Sequence, residues 1–291
     1  LLGAFFFSFA SIIGKFILND GMHPFVLTLL QYLFIVILLL FWHYWKVPSF
    51  YKEHKAMMPK LALQGIIGSA GINLFFYAAL QHLDAGIAAM LLFIHPVYIT
   101  LYFAVTKKKI IGIRHYASLL LVILGGVITL DLIFGLPEEL SIVGIFRGVM
   151  AGMCYAFYNV FADLHLKEVG ANTINLFGSF FGLILTLLLI AISNIPFNFQ
   201  FSVLPPIVLL SCLSGILPIY FIFKALKHIG SEKVSIVAAL ELPITLLLAF
   251  IFLGEQMKTS QLIGVLMIVA SSVLLQYKGN QKSEACIENK K

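Results

Sequence analysis

Charge is scarce in this chain. Of its 291 residues only 11% are Asp, Glu, Lys or Arg, against about 25% in an ordinary soluble protein, while 61% are apolar. A soluble globular enzyme, a disordered chain and a coiled coil all need more charge, so each is excluded. Cysteine is scarce as well. Cys154, Cys212 and Cys286 build no disulfide framework. Cys154 and Cys212 fall inside apolar runs, where a small packed residue is the plain reading. Chemical signatures are missing: no Walker lysine motif for ATP, no His-Glu-x-x-His, no cluster of Cys and His for a metal, and no nucleophile elbow. The net charge of +6 could suggest nucleic acid, but the Lys and Arg sit between apolar runs rather than on one patch.

What the chain has is long apolar stretches. One membrane span needs about 20 residues, because the hydrocarbon core is about 30 Å thick. Ten runs meet that need: 1–18, 24–43, 60–80, 86–106, 115–134, 142–163, 173–194, 203–223, 232–253 and 259–277. No second, water-soluble domain fits in what remains. A β-barrel would show short stretches of alternating polarity, whereas Phe34 to Leu40 is apolar without a break. The expected fold class is an all-α integral membrane protein with ten transmembrane helices. The chain opens on Leu1 rather than Met, and the first span is expected to begin upstream. No cleavable signal peptide is visible.

Lysine and arginine set the expected orientation. With both termini cytoplasmic, the inner loops and the tail 278–291 hold 16 of these residues, and the outer loops hold only Lys258. Trp42, Tyr44 and Trp45 close span 2 as an aromatic belt at the inner face. An energised plasma membrane is the expected location. Internal repetition then appears. Ala79-Leu80-Gln81-His82 matches Ala225-Leu226-Lys227-His228 at an offset of 146, and Pro96-Val97 matches Pro243-Ile244 at 147. The halves are 1–134 and 140–277, with five spans each. Five is odd, so the second half is expected upside down. The turn Lys107-Lys108-Lys109 lies inside on this reading, and its counterpart Gly254-Glu255-Gln256 lies outside. Inverted repeats with exchanged loop charge are a feature of secondary transporters.

Several motifs then resemble one family. Span 1 carries Gly14-Lys15, and His23-Pro24 opens span 2. Span 9 reads Leu240-Glu241-Leu242-Pro243 and is followed by Gly254-Glu255, and span 10 carries Gln261 and Gly264. As a set they resemble the drug/metabolite transporter superfamily, specifically its ten-span EamA-type members. The resemblance covers nearly the whole chain. It has departures: Gln31 stands where many members have Arg, Lys107-Lys108 replaces the first Gly-Glu turn, and Pro243 sits one place late. It implies a carrier of amino acids, other metabolites, sugars or drugs from a bacterial membrane.

Polar groups in mid-span are the candidate site. Glu241 cannot easily snorkel from the middle of span 9, where a charge costs about 2.5–3.5 kcal/mol. It would bind a substrate amine, carry a proton, or hydrogen-bond a neighbouring helix in its protonated form. His95 holds nearly the equivalent place in span 4, lining a cavity or bonding another helix. Tyr155 and Asn159, and likewise Asn73 and Tyr77, are spaced i, i+4 and share a helix face. Each pair lines a pathway or joins helices. Lys15, near the outer end of span 1, either snorkels to the headgroups or meets an anionic substrate group. Arg147 carries the same two readings, and Asp163 is expected at the inner interface. Pro96, Pro218 and Pro243 are helix breaks that free the carbonyls of Leu92, Ser214 and Ala239. Gly148/Gly152 and Gly178/Gly182 let helices approach closely.

The expected function is secondary transport of small organic solutes by alternating access, with export of amino acids or related metabolites first. Uptake of a sugar or nucleoside-like metabolite is the alternative. A membrane enzyme acting on lipid is remote, because the loops offer mostly Lys. The expected partners are a small-molecule substrate, the lipid bilayer and a coupled proton. Neither nucleic acid, cofactor nor metal is expected, and self-association to a homodimer stays open.

Overall fold

Lipid offers no water to peptide groups, so an apolar run must satisfy its own N–H and C=O groups as helix. The structure, a computed structural model, describes residues 2–46, 55–106, 113–129, 141–166, 169–197, 200–238, 241–255 and 258–276. Lys107–Lys109, Asp131, Glu138, Glu139 and the tail 278–291 lie outside these residues. Ten helices form among the described residues. They are α1 (Leu2–Asn19), α2 (Pro24–Lys46), α3 (Met58–Leu80), α4 (Ala85–Leu92 and His95–Thr106), α5 (Ile113–Thr129), α6 (Ile142–His165), α7 (Ala171–Ile192), α8 (Phe201–Ala238), α9 (Glu241–Leu253) and α10 (Thr259–Gln276). Seven are long and apolar enough to cross a membrane, and α5, α9 and α10 are shorter apolar helices. The chain is an all-helical, multi-pass membrane protein. One boundary differs from expectation. Residues 224–231 are helical rather than a loop, because helix runs on from Leu217 to Ala238. Lys224, Ala225, Leu226 and Lys227 there are good helix formers, and polarity alone does not end a helix.

Buried hydroxyls bond back along their own helices. Thr28 donates to the Pro24 carbonyl at 2.9 Å, Thr186 to Gly182 at 2.8 Å and Ser211 to Ile207 at 2.8 Å. Small residues let helices touch. At Gly152 of α6 an added Cβ would lie 2.9 Å from the Leu91 carbonyl oxygen of α4. Leu40, Phe41, Leu187 and Phe252 remain more than half exposed, as suits a surface whose solvent is lipid.

Two kinds of interruption shape the interior. The first is proline. α4 breaks at Phe93 and Ile94 and restarts at His95, with Pro96 in its first turn. The carbonyl of Leu92, which Pro96 cannot bond, lies 3.2 Å from the His95 ring nitrogen Nδ1. Pro243 likewise occupies the first turn of α9, and Pro218 follows a break in α8. Ala239 lies outside the described residues. The second is π-helix, a wider turn with bonds to the fifth residue and frequent at functional sites. α3 contains one at Gln64–Ala70 and α8 one at Ser211–Ile216, with starts 147 residues apart. That is the offset of Pro96 and Pro243.

Candidate functional site

A narrow cavity lies among α1, α2, α3, α4, α6, α7 and α8. Its walls include parts of both π-helical stretches, through Ser69 of α3 and Ser214 and Gly215 of α8. Apolar contributions come from Phe7, Ile35, Leu92 and Ile219 among others. The polar lining is Gln31, Tyr32, Ser69, Asn73, Tyr77, Tyr155, Tyr158, Ser179 and Ser214, none of which carries a formal charge.

Gln31 is the junction of this polar wall. Its side-chain oxygen accepts from the Tyr77 hydroxyl at 2.8 Å and from Asn73 Nδ2 at 3.4 Å. Its Nε2 donates to Ser214 Oγ at 3.1 Å, and its backbone carbonyl accepts from Ser211 Oγ at 3.2 Å. One side chain therefore ties α2 to both α3 and α8. Tyr32 and Ser69 share a hydrogen bond of 3.0 Å, and Ser179 donates to Asn175 Oδ1 at 3.3 Å.

Among the residues singled out from sequence, Asn73, Tyr77 and Tyr155 line this cavity, and His95, Glu241, Asn159 and Lys15 do not. His95 is fully buried behind Tyr155, with the two rings 4.3 Å apart. A carbonyl can only accept, so the proton of the bond to Leu92 sits on Nδ1, and Nε2 has no partner among the described residues. Glu241 is 2% exposed, its Oε2 has no partner among the described residues, and Tyr155 lies within its electrostatic reach. Thr245, one turn along α9, also has an unpartnered hydroxyl. Asn159 donates to the Tyr155 carbonyl at 3.1 Å and leaves its Oδ1 without a partner. Tyr155 thus joins the cavity wall to buried polar groups that keep an unpartnered atom, with His95 against its ring and Asn159 on its carbonyl. Such atoms are costly in a core and are rarely retained without use.

Lys15 works elsewhere. Its ammonium donates to the carbonyls of Leu80 and Leu83, both at 2.7 Å, at the end of α3. Arg147 of α6 adds a bond of 3.1 Å to the Ala78 carbonyl. Cations belong at a helix C-terminus, where carbonyls lack partners. Across the same turn Glu255 accepts from the N–H of Ala85 at 2.8 Å and of Gly86 at 3.3 Å, capping α4. The connection between α3 and α4 is therefore gripped from α1, from α6 and from the residues after α9. Burial pushes the Glu255 carboxyl above its ordinary value and nearby Asp84 adds to this, while the two N–H groups and Lys15 pull the other way. His23, at the same end, is lowered by burial and by the charge of Arg147.

Sequence reasoning missed Gln31, Tyr32, Ser69, Tyr158, Ser179 and Ser214 as cavity residues. Ser69 was within reach, because Ser69, Asn73 and Tyr77 continue one i, i+4 stripe. Gln31 had a weaker signal, as an uncharged amide alone in an apolar span.

Known proteins share this architecture. The profile of the EamA-like transporter family matches residues 1–130 and 142–277. An uncharacterized transporter of Clostridium kluyveri is 26% identical, over 97% of this chain and 93% of its own. The uncharacterized inner membrane transporter YicL of Salmonella typhimurium is 23% identical, over 98% and 96%. The threonine/homoserine exporter RhtA of Escherichia coli is 26% identical over 82% of this chain and 76% of that one. A solved crystal structure superimposes with a TM-score of 0.72 at 17% identity, covering 94% of this chain and 93% of that one, and shares the fold. With two matched stretches spanning almost its whole length, the chain belongs to the EamA-like transporter family and is a membrane transporter, not an enzyme.

Proposed function

We propose that this transporter exports amino acids or related small metabolites by alternating access, as a secondary carrier. One observation carries the reading: a cavity with uncharged polar groups in its wall lies about halfway along apolar helices, with walls drawn from both family-matched stretches. Polar groups in mid-span face a cavity or join helices, and those of this wall are placed to do both. RhtA, the threonine/homoserine exporter, matches over 82% of this chain, which favours amino acids and outward movement.

In this mechanism the halves 1–134 and 140–277 are inverted repeats that rock about the cavity. Both termini lie in the cytoplasm of a bacterial cell, so the end holding Lys15, Arg147 and Glu255 faces outward. Asn73, Tyr77 and Tyr155 touch the solute. Glu241 and His95, behind Tyr155, couple movement to a proton. Transport is then driven when protonation of these buried groups changes which arrangement of the halves is favoured.

The test compares the culture medium of cells making the native protein with that of cells making Glu241→Gln, by untargeted metabolite mass spectrometry. An amino acid or related metabolite should accumulate outside with the native chain alone. Matching media from cells in which both proteins reach the membrane would overturn export coupled through Glu241.

A further inference from the structure

The cavity surface is mostly apolar, and the polar groups set into it carry no formal charge. Among the described residues its polar lining offers hydroxyls and amides, without one Asp, Glu, Lys, Arg or His. Two cations buried in neighbouring helices are committed elsewhere. Lys15 and Arg147 spend their protons on carbonyls at the end of α3. Glu255 is held by the first N–H groups of α4. Glu241 and His95 are buried outside the lining, and the ring of Tyr155 stands between His95 and the cavity.

We propose that this cavity takes solutes of zero net charge, and that Gln31 is the residue that holds it to that class. The inference rests on the reading of the cavity as the transport site. An ion entering it leaves water and meets no opposite charge, which is strongly unfavourable in a low-dielectric interior. A zwitterion brings both of its charges and compensates them internally, and a polyol or nucleoside brings none.

Gln31 holds its place because a carboxamide donates and accepts at once. Its oxygen takes the protons of Tyr77 and Asn73, and its nitrogen gives one to Ser214. A glutamate there would have the same shape but could only accept, so it would lose the donation to Ser214 and bring a negative charge into the cavity. A lysine or arginine could only donate, and would forfeit the bonds from Tyr77 and Asn73.

The arrangement also decides what a solute meets. Tyr77 gives its proton to Gln31, so its oxygen is left with lone pairs. Asn73, which also hydrogen-bonds Tyr32, keeps its carbonyl oxygen. Tyr32 and Ser69 use one hydroxyl proton between them and retain the other. Donors and acceptors are both on offer, as a net-neutral solute with both kinds of group requires.

The test uses the full chain reconstituted in phosphatidylethanolamine and phosphatidylglycerol vesicles. The probe is an equimolar mixture of threonine, homoserine, glutamine, lysine, glutamate, mannitol and uridine, followed by mass spectrometry. The native protein should move at least one net-neutral member at least tenfold faster than lysine and glutamate. Gln31→Glu should raise the rate of lysine relative to that neutral solute at least tenfold. Asn73→Asp, which places the charge on the same wall, should shift the ratio in the same direction should Gln31→Glu fail to fold. Gln31→Met, which stays uncharged, should slow the neutral solute and leave the ratio unchanged. Equal native rates for neutral and charged members, or an unchanged ratio in a folded acidic variant, would overturn the proposal. A native protein that moves nothing in the panel refutes the transport reading itself, and this inference falls with it.

Discussion

Gly65 and Gly178 face each other where the π-helical part of α3 meets α7, yet they should respond oppositely to the same substitution. A Cβ built on Gly65 would lie 2.6 Å from the Gly178 carbonyl oxygen, 2.9 Å from Phe181 Cβ and 3.0 Å from Gly178 Cα. Two of these atoms are backbone and cannot swing aside. Restoring ordinary contact at 3.4 Å requires the helices to part by about 0.8 Å, worked from the shortest of these distances. Overpacking of this kind costs about 1–3 kcal/mol. A Cβ on Gly178 meets nothing nearer than 3.9 Å. Gly178→Ala should therefore be neutral, or stabilising by up to about 1 kcal/mol through the helix preference of Ala over Gly. The measurement is reversible unfolding of each variant in mixed micelles by SDS titration. Gly65→Ala should be less stable than native and Gly178→Ala at least as stable, so that the two straddle the native value. Equal destabilisation by both would refute the reasoning, since it would mean that the helices meet differently.

Two further outcomes concern the grip on the connection between α3 and α4. Lys15→Met leaves the Leu80 and Leu83 carbonyls without their cation, and the loss of such charge-assisted bonds should lower stability by about 1.5–3 kcal/mol. The choice among solutes should stay as in the native protein, because Lys15 does not line the cavity; a selective loss of anionic solutes would instead restore the substrate-contact reading. Glu255→Gln should change the response to pH. The folded carboxyl sits above its ordinary 4.5, so the folded state holds the proton to higher pH than the unfolded state does. The stability this adds is full below the ordinary value and is lost as pH rises through the folded one. Melting temperatures in detergent between pH 4 and pH 8 should then fall more steeply for native than for Glu255→Gln, and parallel curves would contradict this reading.

The helices were legible for a simple reason. Lipid admits little besides apolar helix, so composition and run length nearly specify the class. The site was legible only where spacing along one helix exposes a shared face. Asn73 and Tyr77 on α3, and Tyr155 on α6, stand out because i, i+4 neighbours point the same way. The rest of the wall comes from single polar residues on separate helices. Gln31 and Ser214 are 183 residues apart, and nothing local says that they meet. Lys15 was ambiguous for the opposite reason. A long cation near a helix end can reach headgroups, solute or backbone, and the carbonyls that take it belong to another helix.

Sequence by itself determined the solvent of this protein, the number and kind of its helices, the prolines that interrupt them and the twofold repetition of its motifs. All of these depend on residue type and spacing along one chain. Tertiary structure decided which helix faces meet. It gathered uncharged hydroxyls and amides from separate spans into one cavity. It set His95 directly behind Tyr155 and left Glu241 out of the cavity wall, and it turned Lys15, Arg147 and Glu255 to the ends of helices. Those outcomes depend on close backbone approach at positions such as Gly65 and Gly152, a property of pairs of helices rather than of either one.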